Sequence, residues 1–361
     1  MYNYAIQKRD ECIHERGDME MKHEQVATML FAEKYHCSQA VLGAFAEEFD
    51  LDIKTALKLG GCLGCDLSTP EGKAYALENK QFTEFCPKMV VSAVKIAEKL
   101  MEKDCVFFEK LSFHTHPCLS EEVYDGWLLR FAEGYTKRAN SVNVVGESSA
   151  ALAEKIVYCE KKYTEKKMPT VFKITPVSQE VDALLEERGY SAVDKTNVMT
   201  VDLTKRGKTV AKCNERKSLI ASGRGEVSVT IEEKFTETWQ YYYFTFNKVS
   251  PVHVPTAKKI QAKITNPVLC ATVYVDKKAV ACGLGVMEQG HVGLLDIVVK
   301  EEYRGCGFGK VLCEALLDKA KEKGATTGYL QVVDSNEVAK KLYTSLGFED
   351  IYSYWYRVKK D

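Results

Sequence analysis

A glycine-rich turn is the part of this 361-residue sequence whose residue types and spacing most directly indicate chemistry. It follows an apolar strand that contains Ile297, Val298 and Val299, and an amphipathic helix follows it. Glycine adopts backbone conformations closed to other residues, so successive amides can point at one anion. A helix start adds unpaired N–H groups and a positive dipole end. A pyrophosphate is the natural occupant of this turn, whose residues are Arg304, Gly305, Cys306, Gly307, Phe308, Gly309 and Lys310.

Two familiar phosphate sites do not fit the turn. A P-loop requires Lys-Ser or Lys-Thr after its last glycine, whereas Lys310 is followed by Val311. A Rossmann dinucleotide site requires an acidic residue at the end of the second strand, and that strand here ends in Gln331-Val332-Val333. This pattern alone does not distinguish a phosphate site from a plain strand-to-helix turn that binds no ligand.

Two motifs in this order resemble the GCN5-related N-acetyltransferase (GNAT) superfamily. The turn matches the superfamily's Arg/Gln-x-x-Gly-x-Gly/Ala signature. The next strand and helix of the superfamily are matched by Leu330-Gln331-Val332, Asn336, Ala339, Leu342-Tyr343 and Gly347-Phe348. The resemblance covers residues 227–361 and implies an acetyl-CoA-dependent N-acetyltransferase with a mixed, splayed sheet.

The resemblance also implies roles for single residues. The amides of the turn would hold the CoA pyrophosphate, and the backbone of residues 297–299 would pair with the pantetheine arm and the thioester oxygen. Asn336 would bond to the pantetheine, and Tyr343 would protonate the departing thiolate.

Proton transfer to and from the reacting groups needs an acid and a base. The phenol of Tyr343 can donate to a thiolate, although a packed helix aromatic is the competing interpretation. A lysine-like amine must lose a proton, which costs about 4 kcal/mol at neutral pH. Candidate bases on or beside the strand that leads to the turn are Asp296, His291 and Glu288. The sequence leaves the choice among them open.

Residues 103–204 are predicted to be a degenerate copy of the same domain, as in tandem GNAT proteins, to which the stretch 124–142 is similar. The residues that correspond to the phosphate turn, 146–149, contain one glycine and the acidic Glu147, which opposes anion binding. Candidates for lining an acceptor pocket are Trp127, Arg130, Arg138 and Asn140, with core or surface roles as the alternative.

Residues 1–102 are predicted to form a small, all-helical domain that contains cysteines. Residues 31–42 resemble the opening of the C_GCAxxG_C_C family of redox or metal proteins, although that family's Cys-Gly-Ala segment is absent. Cys37, Cys62, Cys65 and Cys86 would bind zinc or an iron–sulfur cluster if they converge. A redox-active pair at Cys62 and Cys65 and a purely structural role for all four stay open.

The periodicity of apolar residues predicts strands and helices in alternation, and the resemblance implies an α/β (α+β) fold of tandem, GNAT-like mixed sheets flanked by helices. Strands are predicted at residues 126–132, 136–145, 170–174, 197–203, 227–231, 269–275, 279–288, 291–299, 328–333 and 351–358. Helices are predicted at residues 149–167, 179–188, 307–323 and 336–346. A basic, polar linker is predicted at residues 205–226, before the catalytic domain at 227–361.

Composition bounds the class of protein. Acidic and basic residues nearly cancel, to a formal net charge of −1, which argues against nucleic-acid or membrane partners. No apolar run reaches the length that spans a bilayer, and the charged N-terminus lacks the pattern of a secretory signal. Thirteen cysteines, an odd number, favour reduced thiols in the cytoplasm.

We therefore predict a cytoplasmic N-acetyltransferase that moves an acetyl group from acetyl-CoA to a primary amine by direct attack in a ternary complex. The acceptor, a small-molecule or peptide amine, is left open, as is the oligomeric state. The alternative is a CoA-binding redox or metal sensor with vestigial transferase activity.

Overall fold

The computed structural model describes residues 102–146, 148–207 and 226–359, together with a short helix, α1 (Pro70–Glu78), and residues 29 and 43. The chain divides into two compact units, Met1–Leu100 and Met101–Asp361. Most of the predicted linker lies outside the described residues. The sheet, the helices and the candidate site below all belong to the second unit.

The described part of the second unit contains a mixed sheet of eleven strands flanked by helices, which confirms the predicted fold class. The strands are β1 (Ser120–Tyr124), β2 (Trp127–Phe131), β3 (Val142–Val144), β4 (Val171–Ile174), β5 (Tyr190–Asp202), β6 (Val227–Glu232), β7 (Val268–Val275), β8 (Lys278–Glu288), β9 (His291–Val299), β10 (Thr327–Val333) and β11 (Glu349–Lys359). The helices are α2 (102–115), α3 (Leu152–Glu165), α4 (Gln179–Glu187), α5 (Glu237–Phe246), α6 (Val254–Ala262), α7 (Phe308–Glu322) and α8 (Glu337–Ser345). The spatial order is β1-β2-β3-β4-β11-β5-β10-β9-β8-β7-β6, and only the pairs β3–β4 and β9–β10 are parallel among the described strands.

Strands β7 and β8 are apolar on both faces because helices cover both faces. Leu312 and Leu316 of α7 belong to the core on one face, and Trp239 of α5 belongs to the core on the other. A strand with one face in water would instead alternate apolar and polar residues. The two helices therefore fix the position of β8 and of its neighbour β9, which borders the candidate site.

The two halves of the unit, residues 103–204 and 226–359, exchange their last strands. Strand β5 ends the first half and lies between β10 and β11 of the second half. Strand β11 ends the second half and lies between β4 and β5 of the first. One sheet therefore runs through both halves, and their division into separate domains stays a prediction.

Strands β9 and β10 separate after a short parallel pairing. The pairing runs from His291 opposite Thr327 to Leu294 opposite Leu330, and beyond it β10 pairs with β5 alone. On its other edge β9 pairs with β8, where a register shift leaves Asp296 in a bulge with a φ of +53°. An opening follows, in which the edge of residues 296–299 that faces β10 has no strand partner among the described residues.

The predicted elements of both halves are present, but two strands differ in extent. Strand β5 begins at Tyr190, seven residues before the predicted start at residue 197. The strand predicted at residues 136–145 is reduced to β3, because residues 132–140 fold into a turned loop with Thr136 at a φ of +62°. Strand β1 and helices α2, α5 and α6 were not predicted. The aromatic residues of α5, which include Trp239 and Tyr243, suit a strand as well as a helix on type alone.

Candidate active site

The glycine-rich turn has the geometry of an anion site. Gly305 and Gly307 have left-handed φ angles of +75° and +80°, and a Cβ added to either would meet nothing within 4 Å. Gly307 is the N-cap of α7. Among the described residues, no backbone carbonyl accepts a hydrogen bond from the amides of residues 305–309. These amides lie at the positive end of a helix, where an anionic group is stabilised.

The turn packs against two walls of the opening. A Cβ on Gly309 would lie 3.2 Å from Cδ2 of Leu342 in α8 and 3.7 Å from Cγ2 of Val299 in β9. Arg304 donates from Nε to the carbonyl oxygen of Val299 at 3.3 Å. The turn thus adjoins the end of β9 whose edge is unpaired.

A cleft of about 360 Å³ occupies the opening between β9 and β10. Both halves contribute to its walls, so the exchanged strands build the site as well as the sheet. The lining residues are Thr136, Lys137, Arg138, Asp194, Thr196, Leu294, Leu295, Asp296, Ile297, Gln331, Val332, Val333, Asn336, Ala339, Tyr343, Tyr354 and Tyr356. The predicted site residues Asp296, Ile297, Asn336 and Tyr343 are therefore brought together, and Arg138 joins them.

Asp296 lies half-buried in the bulge of β9, at the wall of the cleft. Burial raises the pKa of its carboxyl, while the positive charge of Arg138 and a hydrogen bond from Tyr243 oppose that rise. A carboxylate with a raised pKa holds a proton more strongly than an exposed one, which makes it the stronger base.

Tyr343 and Asn336 both belong to α8. Burial raises the pKa of the Tyr343 phenol, so the group stays protonated at neutral pH and keeps a proton to donate. Asn336 is the N-cap of the helix, and its Oδ1 accepts a hydrogen bond from the amide of Ala339 at 3.1 Å. The side-chain NH₂ group of Asn336 is a hydrogen-bond donor that this cap does not use.

The structure places the other two candidate bases away from the cleft. His291 begins β9, about 16 Å of strand from Asp296, and its Nδ1 lies 2.7 Å from the carbonyl oxygen of Gln289. Glu288 ends β8 and bonds to His114 and Asn266, each at 2.8 Å. Of the three, Asp296 alone lines the cleft.

In the first half, a side chain occupies the place that corresponds to the phosphate turn. The carboxylate of Asp125 accepts hydrogen bonds from the amides of Ser149 at 3.1 Å and Ala150 at 2.9 Å, just before α3. The Lys155 ammonium lies 3.2 Å from the same carboxylate. These backbone hydrogen bonds hold the pKa of Asp125 well below its usual range. An anionic ligand would have to displace a carboxylate that is part of the fold.

The four residues proposed from the first half to line an acceptor pocket divide into two groups. Trp127 is fully buried in the core, with the Lys155 ammonium 4.3 Å from the centre of its ring. Arg130 and Asn140 are also buried and bond to backbone groups of the loop 132–140. Arg138 alone of the four lines the cleft.

Tyr354 and Tyr356 line the cleft from β11, and sequence reasoning missed both. Alternate residues of a strand share a face, so the pair was predictable as a unit once one member was placed. What the sequence lacks is any local signal that β11 lies beside the first half of the unit.

The described residues contain no group of three or more His, Cys, Asp or Glu side chains that could hold a metal ion. The cysteines predicted to bind metal (Cys37, Cys62, Cys65 and Cys86) lie outside those residues, so that hypothesis stays a prediction. Within the same ranges, no helix is long and apolar enough to span a bilayer.

A mixed sheet that splays between two parallel strands, beside a glycine-rich helix start, defines an acyltransferase of the GNAT type. The chain belongs to the family described as "Probable histone acetyltransferase Rv0428c C-terminal", whose model matches residues 107–357. That match includes both halves of the unit.

Three similar proteins carry the same class of name. The chain is 29% identical over 255 residues to the uncharacterized N-acetyltransferase YobR of Bacillus subtilis, which covers 70% of this chain and 97% of that protein. It is 43% identical over 58 residues to the [ribosomal protein bS18]-alanine N-acetyltransferase of Haemophilus influenzae, 16% of this chain and 39% of that one. The structure of a GCN5-related N-acetyltransferase from Kribbella flavida shares the fold, with a TM-score of 0.53 at 13% identity over 71% of this chain and 96% of that one.

Proposed function

We propose that this protein transfers an acetyl group from acetyl-CoA to a primary amine by direct attack in a ternary complex. The splay of β9 from β10 carries the proposal, because the opening contains an unpaired strand edge, Asp296 and Tyr343, and the glycine-rich turn adjoins it at the end of β9. The turn would hold the pyrophosphate, residues 297–299 would pair with the pantetheine arm, and Asn336 would donate to it.

Proton transfers are assigned to two side chains. The amine nitrogen bonds to the thioester carbon as the C–S bond breaks. Asp296, directly or through a water molecule, takes the amine proton, whose removal costs about 4 kcal/mol at neutral pH. Tyr343 gives its proton to the leaving sulfur and regains one from solvent. The raised pKa of the Asp296 carboxyl suits a base, and the Tyr343 phenol is protonated at neutral pH and so has a proton to give.

The unpaired edge of β9 supplies the remaining element of catalysis. Negative charge develops on the thioester oxygen during the attack, and a fixed backbone N–H directed at it is worth about 10²–10³ in rate. The bulge at Asp296 interrupts the ladder with β8, which resumes at Val298 opposite Cys282. On the opposite edge, which faces β10, residues 297–299 offer backbone groups that no strand uses within the described part of the chain.

The sensor alternative is not favoured, because the similar proteins are named as N-acetyltransferases. One is named for a ribosomal-protein alanine and another, from Bos taurus, for thialysine, so both peptide and small-molecule amines suit the class. We place the protein in the cytoplasm, since all cysteines of the described residues are free thiols, which suits a reducing compartment.

Calorimetric titration of acetyl-CoA into the purified protein tests the proposal. We expect one site in the wild type and at least about tenfold weaker binding in Gly307→Asp, which adds a negative charge where the phosphates would lie. Gly307→Asn is the neutral control at the same position. Gly324→Asp is the charge control, because Gly324 follows the far end of α7, has a φ of +95° and is equally open. No binding by the wild type would refute the proposal.

A further inference from the structure

The guanidinium of Arg138 is the one cation in the cleft wall that the described residues leave without an ion pair. The other lining cation, Lys137, has its ammonium 2.8 Å from the Asp194 carboxylate. Against the opposing effect of burial, the charge of Asp296 acts on Arg138 and raises the pKa of its guanidinium. No carboxylate of the described residues, however, lies within 4.0 Å of the guanidinium nitrogens, the distance of an ion pair. A half-buried arginine in this position offers several N–H donors to a ligand.

The loop that carries Arg138 is fixed from several sides. Arg130 donates to the Arg138 carbonyl oxygen at 2.6 Å. The Asn140 side chain accepts from the amide of Ala132 at 2.7 Å and donates to the Tyr135 carbonyl oxygen at 2.8 Å. Because the loop is held by these bonds, Arg138 is presented to the cleft at little cost in ordering.

Arg138 lies at the end of the cleft remote from the pyrophosphate turn. It also lines a small adjoining cavity together with Leu294 and Leu295, where β9 and β10 are still paired. The turn follows Val299, which lies about 13 Å along β9 from Leu295. Arg138 is therefore too far from the turn to neutralise the phosphates, and the pantetheine arm between them is uncharged.

Tyr356 provides a second unused donor in the same region. Its side chain is 4% exposed and lines the cleft, and its hydroxyl has no hydrogen-bond partner among the described residues. The neighbouring Tyr354 differs, since its hydroxyl donates to Oε1 of Gln331 at 2.9 Å. A buried polar group without a partner costs free energy, so a ligand atom that bonds to it is favoured.

We propose that the acceptor amine carries a carboxylate, which Arg138 binds together with the Tyr356 hydroxyl while the amine faces Asp296. The proposal rests on the proposed acetyl transfer and names its substrate class: amino acids, short peptides and similar amine–carboxylate compounds. Arg138 and Asp296 attract the opposite charges of such a molecule. A polycationic acceptor would instead place surplus positive charge against Arg138.

Matched amines test the proposal. The panel is alanine, phenylalanine, dialanine and 6-aminohexanoate, each paired with the amine that lacks only the carboxylate, and the readouts are kcat and KM from loss of the thioester. We expect at least one carboxylate member to exceed its partner by about 10–100-fold in kcat/KM, chiefly through KM. Arg138→Met should abolish this preference, and Tyr356→Phe should reduce it.

Lys137→Met is the control, because it removes an adjacent charge that Asp194 already neutralises; it should retain the preference. The affinity of each panel member for the CoA-saturated protein is measured as well. Compounds that are not acetylated therefore still show whether the carboxylate improves binding. If no carboxylate member binds or reacts better than its partner, the inference fails. If Arg138→Met lowers kcat equally for both members of a pair, Arg138 acts on the thioester oxygen and the inference also fails.

Failure of this inference is distinct from failure of the proposed function. Suppose that Gly307→Asp weakens acetyl-CoA binding but kcat/KM is the same with and without the acceptor carboxylate. That result overturns the inference and leaves the proposed function intact. Loss of acetyl-CoA binding in the wild type overturns both.

Discussion

The carboxylate of Asp125 accepts a hydrogen bond from the amide of Ala150 at 2.9 Å, directly before helix α3. At the corresponding place in the second half, before α7, the amides of residues 305–309 have no backbone acceptor among the described residues. The two halves thus differ in what satisfies a helix start. One uses its own side chain, and the other is open to an anion.

Asp125→Asn should lower the stability of the protein without creating a second acetyl-CoA site. The variant removes the charge that several N–H and O–H donors share, including Ser149 Oγ at 2.8 Å. Because the pKa of Asp125 is lowered by folding, its stabilisation is present above the unfolded pKa and is lost as pH falls. Urea unfolding should therefore show a constant difference from wild type between about pH 5 and pH 8, which shrinks below about pH 4.

Calorimetry supplies the control for this variant. The stoichiometry of acetyl-CoA should stay at one site per chain, since Gly146 is the only glycine in the turn that precedes α3. If Asp125→Asn bound two acetyl-CoA molecules per chain, the Asp125 carboxylate alone would be what prevents acetyl-CoA from binding in the first half.

Asp296→Asn should lower kcat/KM by about 10²-fold or more, because the amide cannot accept the amine proton. The carboxyl must be ionised to act as a base, so wild-type activity should rise with pH through a pKa that lies above the usual aspartate value. That acidic limb should disappear in the variant, while the affinity for acetyl-CoA stays unchanged.

His291→Asn is the matched test of the rival base on the same strand. His291 packs beside Phe107, with ring centres 5.0 Å apart, away from the cleft. Wild-type activity in this variant together with a loss in Asp296→Asn supports the assignment. The reverse pattern would transfer the role of base to His291.

Tyr343→Phe should lower kcat by about 10²-fold and leave acetyl-CoA binding intact, because it removes only the proton donor for the thiolate. The phenylalanine ring retains the packing against Phe348, whose ring centre lies 5.9 Å away. Tyr303→Phe, beside Phe308 at the turn, is the control for loss of a hydroxyl near the cofactor site. Equal activity in wild type and Tyr343→Phe would show that solvent protonates the thiolate.

The turn and the second half were predictable because their signals are local. Glycines at fixed offsets, a strand before them and a helix after them are all contained in residues 291–323, and the structure places β9 and α7 within a residue or two of the predicted bounds. The exchange of β5 and β11 was not predictable in this way. It pairs Tyr190 with Lys359, and no local pattern marks partners so distant in sequence.

The acceptor end of the cleft was predicted only in part for a similar reason. A strand through Arg138 is predicted from the sequence, but the side chain of Asn140 bonds to four backbone groups and closes a loop there. Such a set of bonds depends on the three-dimensional turn and leaves no periodic trace. Arg138 was a candidate by residue type, and its position in the cleft follows from that loop.

The buried pair of Lys173 and Glu109 should make the largest single electrostatic contribution to stability that we test. Lys173 Nζ in β4 lies 2.6 Å from Glu109 Oε2 in α2, and their side chains are 4% and 7% exposed. Tyr352 of β11 donates to the same carboxylate at 3.0 Å, so the pair joins both halves.

Lys173→Met leaves an uncompensated buried carboxylate and should lower the free energy of unfolding by about 3–5 kcal/mol. The double variant Lys173→Met/Glu109→Gln should recover much of that loss in urea unfolding, because the buried charge is gone. Additive losses would mean that the two side chains stabilise the fold independently of each other.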